Sequence, residues 1–222
     1  MKKVFIVANI KSYETENEAK KWLDVFKNVK NLNDDLSQKE IIICPPFTLL
    51  ELFKEYLQKN GIRVFLGAQD LSQFDQGAYT GEINARQIRD FAKYVLIGHS
   101  ERRKNFNETK NVLLNKVKLA LAYGIKPIYI IQNDTEEIPE GVEIIAYEPV
   151  FAIGSGKPDN PENAEKVASS VKSKNNGYNI LYGGSVNSTN VQSFTKKSYI
   201  NGVLVGGASL DPEEFINIIK NA

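Results

Sequence analysis

The chain has 222 residues, 42% of them hydrophobic, and a formal net charge of +1. That length fits one large domain or two small ones, and the near-neutral balance argues against a dedicated nucleic-acid surface. A single cysteine, Cys44, excludes an internal disulfide framework, and with only one histidine, His99, a structural zinc site is not expected. Lys2-Lys3 ahead of an apolar run resembles a leader, but Asn9 and Lys11 interrupt the run, so it reads as a first strand. No stretch approaches a membrane span. The expectation is a cytoplasmic protein without nucleic-acid, membrane or cofactor partners.

In chain order, short Val/Ile-rich runs predict strands at 4–8, 41–44, 64–68, 94–97, 127–131, 142–147, 179–182 and 202–205. Such composition suits strands buried on both faces of a parallel sheet. Between them lie helical faces. Trp22, Val25, Phe26 and Val29 share one; Leu49, Leu50, Phe53 and Leu57 share another; Val112, Leu113, Val117 and Leu121 share a third. Asn160-Pro161 and Asp211-Pro212 are helix starts, with the proline preset at the first helical position. Strands alternating with helices predict a closed (β/α)8 barrel over the single domain 1–222, with an open doubly wound sheet as the alternative. A barrel of this kind usually takes about 250 residues. The shortfall shows between the fifth and sixth strands, where about ten residues replace a crossover that needs about a dozen or more. The fifth helix must be shortened or missing.

In such a barrel the C-terminal ends of the strands converge on one mouth. Asn9 and Lys11 follow the first strand, His99 the fourth and Glu148 the sixth; Gly183-Gly184-Ser185 follow the seventh and Gly206-Gly207 the eighth. The glycine pairs let backbone N–H groups approach an anion without Cβ obstruction, and the loops after strands seven and eight are the usual phosphate site of barrels. The string Glu148-Pro149-Val150-Phe151-Ala152-Ile153-Gly154-Ser155-Gly156-Lys157 reads as a lid, stiff at its start, apolar at its tip, able to bring the Gly154 amide to a bound anion and expel water.

Over essentially its whole length the sequence resembles the triosephosphate isomerase family, whose barrel is the TIM barrel. The matching strings run in family order. They are Asn9-x-Lys11, Cys44-Pro45-Pro46-Phe47, Gly67-Ala68-Gln69-Asp70, Gly77-Ala78-Tyr79-Thr80-Gly81-Glu82 and Gly98-His99-Ser100-Glu101-Arg102-Arg103. Then come Ala146-Tyr147-Glu148-Pro149-Val150, the lid, Tyr182-Gly183-Gly184-Ser185-Val186 and Gly206-Gly207-Ala208-Ser209-Leu210. The resemblance implies interconversion of dihydroxyacetone phosphate and D-glyceraldehyde 3-phosphate, in glycolysis and gluconeogenesis. It implies Glu148 as base, His99 as electrophile, and Lys11 and Asn9 at the substrate oxygens. Gly154, Gly184, Ser185, Gly206 and Gly207 would hold the phosphate, with Glu101 and Ser100 in support. The pairing of a glutamate base with a neutral histidine is a known property of the family and is carried over with the resemblance. The segment from Gly77 to Glu82 resembles the family's dimer loop, implying a homodimer in which Thr80 supports Asn9 or Lys11 of the other chain.

Four departures stand out. The family's strand-five ending, commonly Cys-x-Gly-Glu, is here Ile130-Ile131-Gln132-Asn133, which puts the support of the rim near Glu101 and Lys11 in question. Ile10 and Ser12 stand where the family usually has Trp and Met, and Phe151 replaces the usual lid Trp. Pro158 stands at the lid's exit, where it would stiffen the hinge. Two alternatives are weighed against the isomerase. One is a catalytically weakened phosphate-binding barrel; the other is a different phosphosugar isomerase or epimerase, which would usually need a metal or another acid/base pair.

Overall fold

A computed structural model describes residues 3–28, 39–152 and 156–222. The eight strands are β1 (Val4–Asn9), β2 (Lys39–Cys44), β3 (Phe65–Ala68), β4 (Tyr94–Ile97), β5 (Lys126–Ile131), β6 (Ile144–Tyr147), β7 (Asn179–Tyr182) and β8 (Ile200–Val205). All pairings are parallel and sequential, and β8 pairs back onto β1 through Phe5↔Gly202 to Ala8↔Val205, closing the ring. The closed barrel, not the open sheet, is therefore the architecture. Gly202 belongs to this seam: a Cβ there would lie within 1.9 Å of the Phe5 carbonyl oxygen.

Among the described residues the α-helices are α1 (Glu16–Lys27), α2 (Leu50–Lys59), α3 (Ala85–Ile88), α4 (Ser100–Asn105), α5 (Lys110–Ala122), α6 (Pro161–Lys174), α7 (Val191–Thr195) and α8 (Pro212–Asn221). The two proline starts behave as expected. Asn160 Oδ1 accepts the Glu162 N–H at 2.9 Å, and Asp211 Oδ1 accepts those of Glu213 and Glu214 at 2.9 and 3.2 Å. Each satisfies backbone donors that a helix N-terminus leaves orphaned. Between β5 and β6, residues 132–143 form turns and no helix, so the fifth helix is missing rather than shortened. Among the described residues no helix is long and apolar enough to cross a membrane.

Strand periodicity divides the core in two. Phe5, Val7, Ile42, Cys44, Leu96, Ile128, Ile130, Ala146, Leu181 and Leu204 form one buried cluster, and their sequence neighbours form the larger cluster that includes the helix faces. A period of two sends alternate side chains to opposite faces, so the first cluster fills the ring.

Two of the expected helix faces are displaced. Val25 and Leu121 are exposed, while α1 buries Ala19, Trp22, Leu23 and Phe26, and α5 buries Leu113, Lys116, Val117 and Ala120. In α5 a charged residue, Lys116, fills an inward position, and Leu121 lies beside Gly141 of the connection that lacks a helix. Val29 lies outside the described residues. Strand limits also move: the sixth strand starts at Ile144 rather than at residue 142, and the eighth at Ile200 rather than 202.

Candidate active site

The inward-facing alternation continues past the strand ends. On β1 the series Phe5, Val7 leads to Asn9; on β6 Ile144, Ala146 leads to Glu148; on β7 Leu181 leads to Gly183; on β8 Leu204 leads to Gly206. These residues meet in a cavity of about 390 Å³ at the C-terminal mouth. Of the residues expected at the site, Asn9, Lys11, His99, Glu148, Gly184, Ser185, Gly206 and Gly207 all line it. Glu101 and Ser100 are not among its lining residues, and Gly154, with Ile153, lies outside the described residues.

Glu148 is 3% exposed. Its backbone N–H donates to Ile131 O at 2.8 Å, and its Oε1 is 3.4 Å from His99 Nε2. Burial pushes its carboxyl above the ordinary glutamate value; His99, the Ser100 N–H (3.5 Å from Oε2) and Lys11 act against that push. His99 Nδ1 accepts the Glu101 N–H at 3.2 Å. An Nδ1 that accepts leaves the ring proton on Nε2, aimed at the cavity and the carboxylate.

Lys11 has a left-handed backbone, φ 56°, uncommon for a residue with a side chain. Its N–H donates to Asn9 Oδ1 at 3.0 Å, and its carbonyl accepts from Gln69 Nε2 at 2.7 Å. The same Gln69 amide reaches Cys44 O at 2.9 Å. The lysine Nζ contacts Glu101 Oε1 at 2.5 Å. Glu101 thus touches both Lys11 and the backbone side of His99.

The end of β7 grips the lid segment in its middle and just past its exit. Ser185 Oγ donates to Ala152 O at 2.6 Å, and Tyr182 Oη accepts the Asp159 N–H at 2.7 Å. The Asp159 carboxylate in turn accepts from Asn160 N and Asn163 Nδ2, both at 2.7 Å. Val150 and Phe151, just before Ala152, stand exposed. After β8, Ser209 Oγ holds Gly206 O at 2.7 Å, while Trp22 Nε1 donates to Ser209 O at 3.0 Å.

Several contacts that build the site were not expected from sequence. Gly183, expected only as half of an anion-binding glycine pair, also makes room for the base: a Cβ there would come within 2.9 Å of Glu148 Cγ. The strand alternation carries that signal, since Gly183 follows Leu181 on the inward face. Tyr13 also lines the cavity. A third group is buried behind α4. Lys116 Nζ contacts Asp70 at 2.6 Å and Glu108 at 2.5 Å, and Arg102 Nε contacts the same two carboxylates at 2.7 and 2.5 Å. Burial pushes the Asp70 carboxyl up, against the pull of Lys116.

Chemically, the cavity combines a buried carboxylate, an N–H donor, an ammonium and a strip of backbone free of side chains. Such a set can move a proton on a small anionic molecule. A family model described as Triosephosphate isomerase matches residues 4–143 and 140–222. A protein of Dictyoglomus thermophilum named triosephosphate isomerase is 37% identical over 254 aligned positions, covering 100% of both chains. Those of Mesomycoplasma hyopneumoniae strain 232 and Trichodesmium erythraeum are 39% and 35% identical, covering 100% and 99% of both chains. The alignments outrun the 222 residues, so these relatives carry segments that this chain lacks. A parallel ring that closes on itself, with similarity sustained from end to end, makes the chain a member of the triosephosphate isomerase family.

Proposed function

We propose that the chain interconverts dihydroxyacetone phosphate and D-glyceraldehyde 3-phosphate through an enediolate, a step of glycolysis and gluconeogenesis. The observation that carries the reading is the shared cavity: Glu148, His99 and Lys11 line one small space, with the imidazole 3.4 Å from the carboxylate. A proton α to a carbonyl is weakly acidic, so a carboxylate removes it only if the developing negative charge is met. Glu148 takes the proton from one carbon and returns it to the neighbouring one. His99 Nε2–H, the Lys11 ammonium and the Asn9 amide meet the charge on the two oxygens. Burial of Glu148 favours this role, because a less hydrated carboxylate is a stronger base. Ser100 and Glu101 support it through the Glu148 carboxylate and the Lys11 ammonium. The phosphate is assigned to Gly184, Ser185, Gly206 and Gly207, with Gly154 from the lid. The chemistry is internal proton transfer and calls for no cofactor.

The same reading takes residues 1–222 as one domain, works in the cytoplasm and pairs two copies through the loop from Gly77 to Glu82. Support for the pairing is an exposed aromatic stack beside that loop, Phe74 on Tyr79 at 4.3 Å. Exposed stacked rings of this kind are characteristic of interface anchors.

A coupled assay with dihydroxyacetone phosphate tests the activity. Turnover that falls by about a thousandfold or more in Glu148→Gln supports the reading. Phosphoglycolate binding without turnover by the native protein would instead establish the catalytically weakened barrel.

A further inference from the structure

The connection that lacks a helix, residues 132–143, sends one side chain back toward the catalytic strands. Glu136 Oε2 lies 3.0 Å from Arg103 Nη2, and its Oε1 accepts the Gln132 N–H at 2.7 Å. Arg103 also binds backbone, Nε reaching Gly98 O and Nη2 reaching Ile130 O, each at 2.7 Å, and the guanidinium hydrogen-bonds the Tyr129 side chain. Gly98 directly precedes His99. Ile130 directly precedes Ile131, whose carbonyl accepts the Glu148 N–H at 2.8 Å. One guanidinium therefore grips the peptide next to the imidazole and the strand that registers the carboxylate. Glu136 is the carboxylate that holds that guanidinium.

The loop carrying Glu136 is itself tied down. Lys174 Nζ, at the end of α6, donates to Asp134 O at 2.5 Å and Glu136 O at 3.3 Å. A second tie, Lys110 to Glu137 at 2.5 Å, is exposed.

We propose that Glu136 is a positioning residue for the isomerisation: it clamps Arg103, and through Arg103 fixes the spacing of His99 and Glu148. The clamp supplies support on the side where strand five departs from the family pattern. The proposal rests on the isomerase reading of the same site. Glutamine cannot replace Glu136, because an amide that accepts from Gln132 turns its NH2 toward the guanidinium.

The test compares the native enzyme with Glu136→Gln, Glu136→Ala and Glu137→Ala. Active sites are counted by phosphoglycolate titration, kcat and KM are measured separately, and the histidine imidazole resonances are recorded by NMR. The chain has one histidine, so that signal belongs to His99 alone. The expected result is a kcat lower by about tenfold or more in both Glu136 variants, with KM within about threefold and a shifted imidazole resonance. Glu137→Ala leaves both readouts unchanged. On an Arg103→Ala background, Glu136→Ala has no further effect. An unshifted resonance with native kcat per active site overturns the proposal, as does an equal loss in Glu137→Ala. Absence of turnover in the native protein would sink the isomerase reading instead, and the imidazole resonance would then decide the clamp.

Discussion

Gly183→Ala is the sharpest perturbation of the cavity, because the new methyl group would meet the middle of the Glu148 side chain. Its Cβ would lie 2.9 Å from Glu148 Cγ, 3.5 Å from Oε1 and 3.5 Å from Leu204 Cβ. Gly183 is not among the glycines at positive φ, so its backbone admits alanine and the effect is steric. Ordinary contact starts near 3.4 Å, so the carboxylate stem must retreat by roughly 0.5 Å. A displacement of about 1 Å can cost about a hundredfold in rate, so half that distance predicts a kcat lower by about tenfold. Overpacking should also destabilise the fold by about 1–3 kcal/mol. Initial-rate measurements with dihydroxyacetone phosphate give kcat and KM, and thermal unfolding gives the stability change. Native kcat in a folded Gly183→Ala protein would show that the position of the Glu148 stem does not limit the reaction.

Glu148→Gln should trade activity for stability. The folded carboxyl titrates above its ordinary value of 4.5, so between that value and the folded one the native state holds more protons than the unfolded state. Native stability then falls as pH rises through that window and stays lower above it. The glutamine variant lacks this loss: its Tm exceeds the native one at pH 7 and the gap closes near pH 4. For the same reason, the acid limb of kcat/KM lies above pH 4.5 in the native enzyme, because a protonated Glu148 is no base. Tyr182→Phe keeps the ring stacked on Phe194 at 4.0 Å but leaves the Asp159 N–H without its acceptor, a loss of about 1–3 kcal/mol readable by urea unfolding. Lys116→Met leaves the Asp70 and Glu108 carboxylates sharing Arg102 and should cost about 3–5 kcal/mol in the same measurement; a neutral result would mean that Arg102 alone compensates both charges.

The ring was legible because strands buried on both faces announce themselves as Val/Ile runs, and their C-terminal ends must share one mouth. Sequence alone puts Asn9, Lys11, His99 and Glu148 there, since each ends or closely follows a run. What could not be read depends on partners distant in the chain. Lys116 looks like an outward residue until Asp70 and Glu108 are brought to it across the fold. Leu121 keeps its place in the periodic pattern but is exposed, where the neighbouring connection lacks a helix. Glu136 lies in a stretch with no regular pattern, and only folding reveals that its carboxylate reaches Arg103. The missing helix itself was readable from spacing alone.

The left-handed turn at Lys11 has no local reason to form. A residue with a Cβ disfavours that conformation by roughly 1–2 kcal/mol, and neighbours along the chain offer only Asn9 in return. The decisive anchor is Gln69, which follows β3 and also holds the last carbonyl of β2. The ammonium therefore takes up its working posture only after three strands have come together. Competence for chemistry is a property of the assembled wall, and a chain in which β3 is undocked would carry every reacting group yet lack the pose.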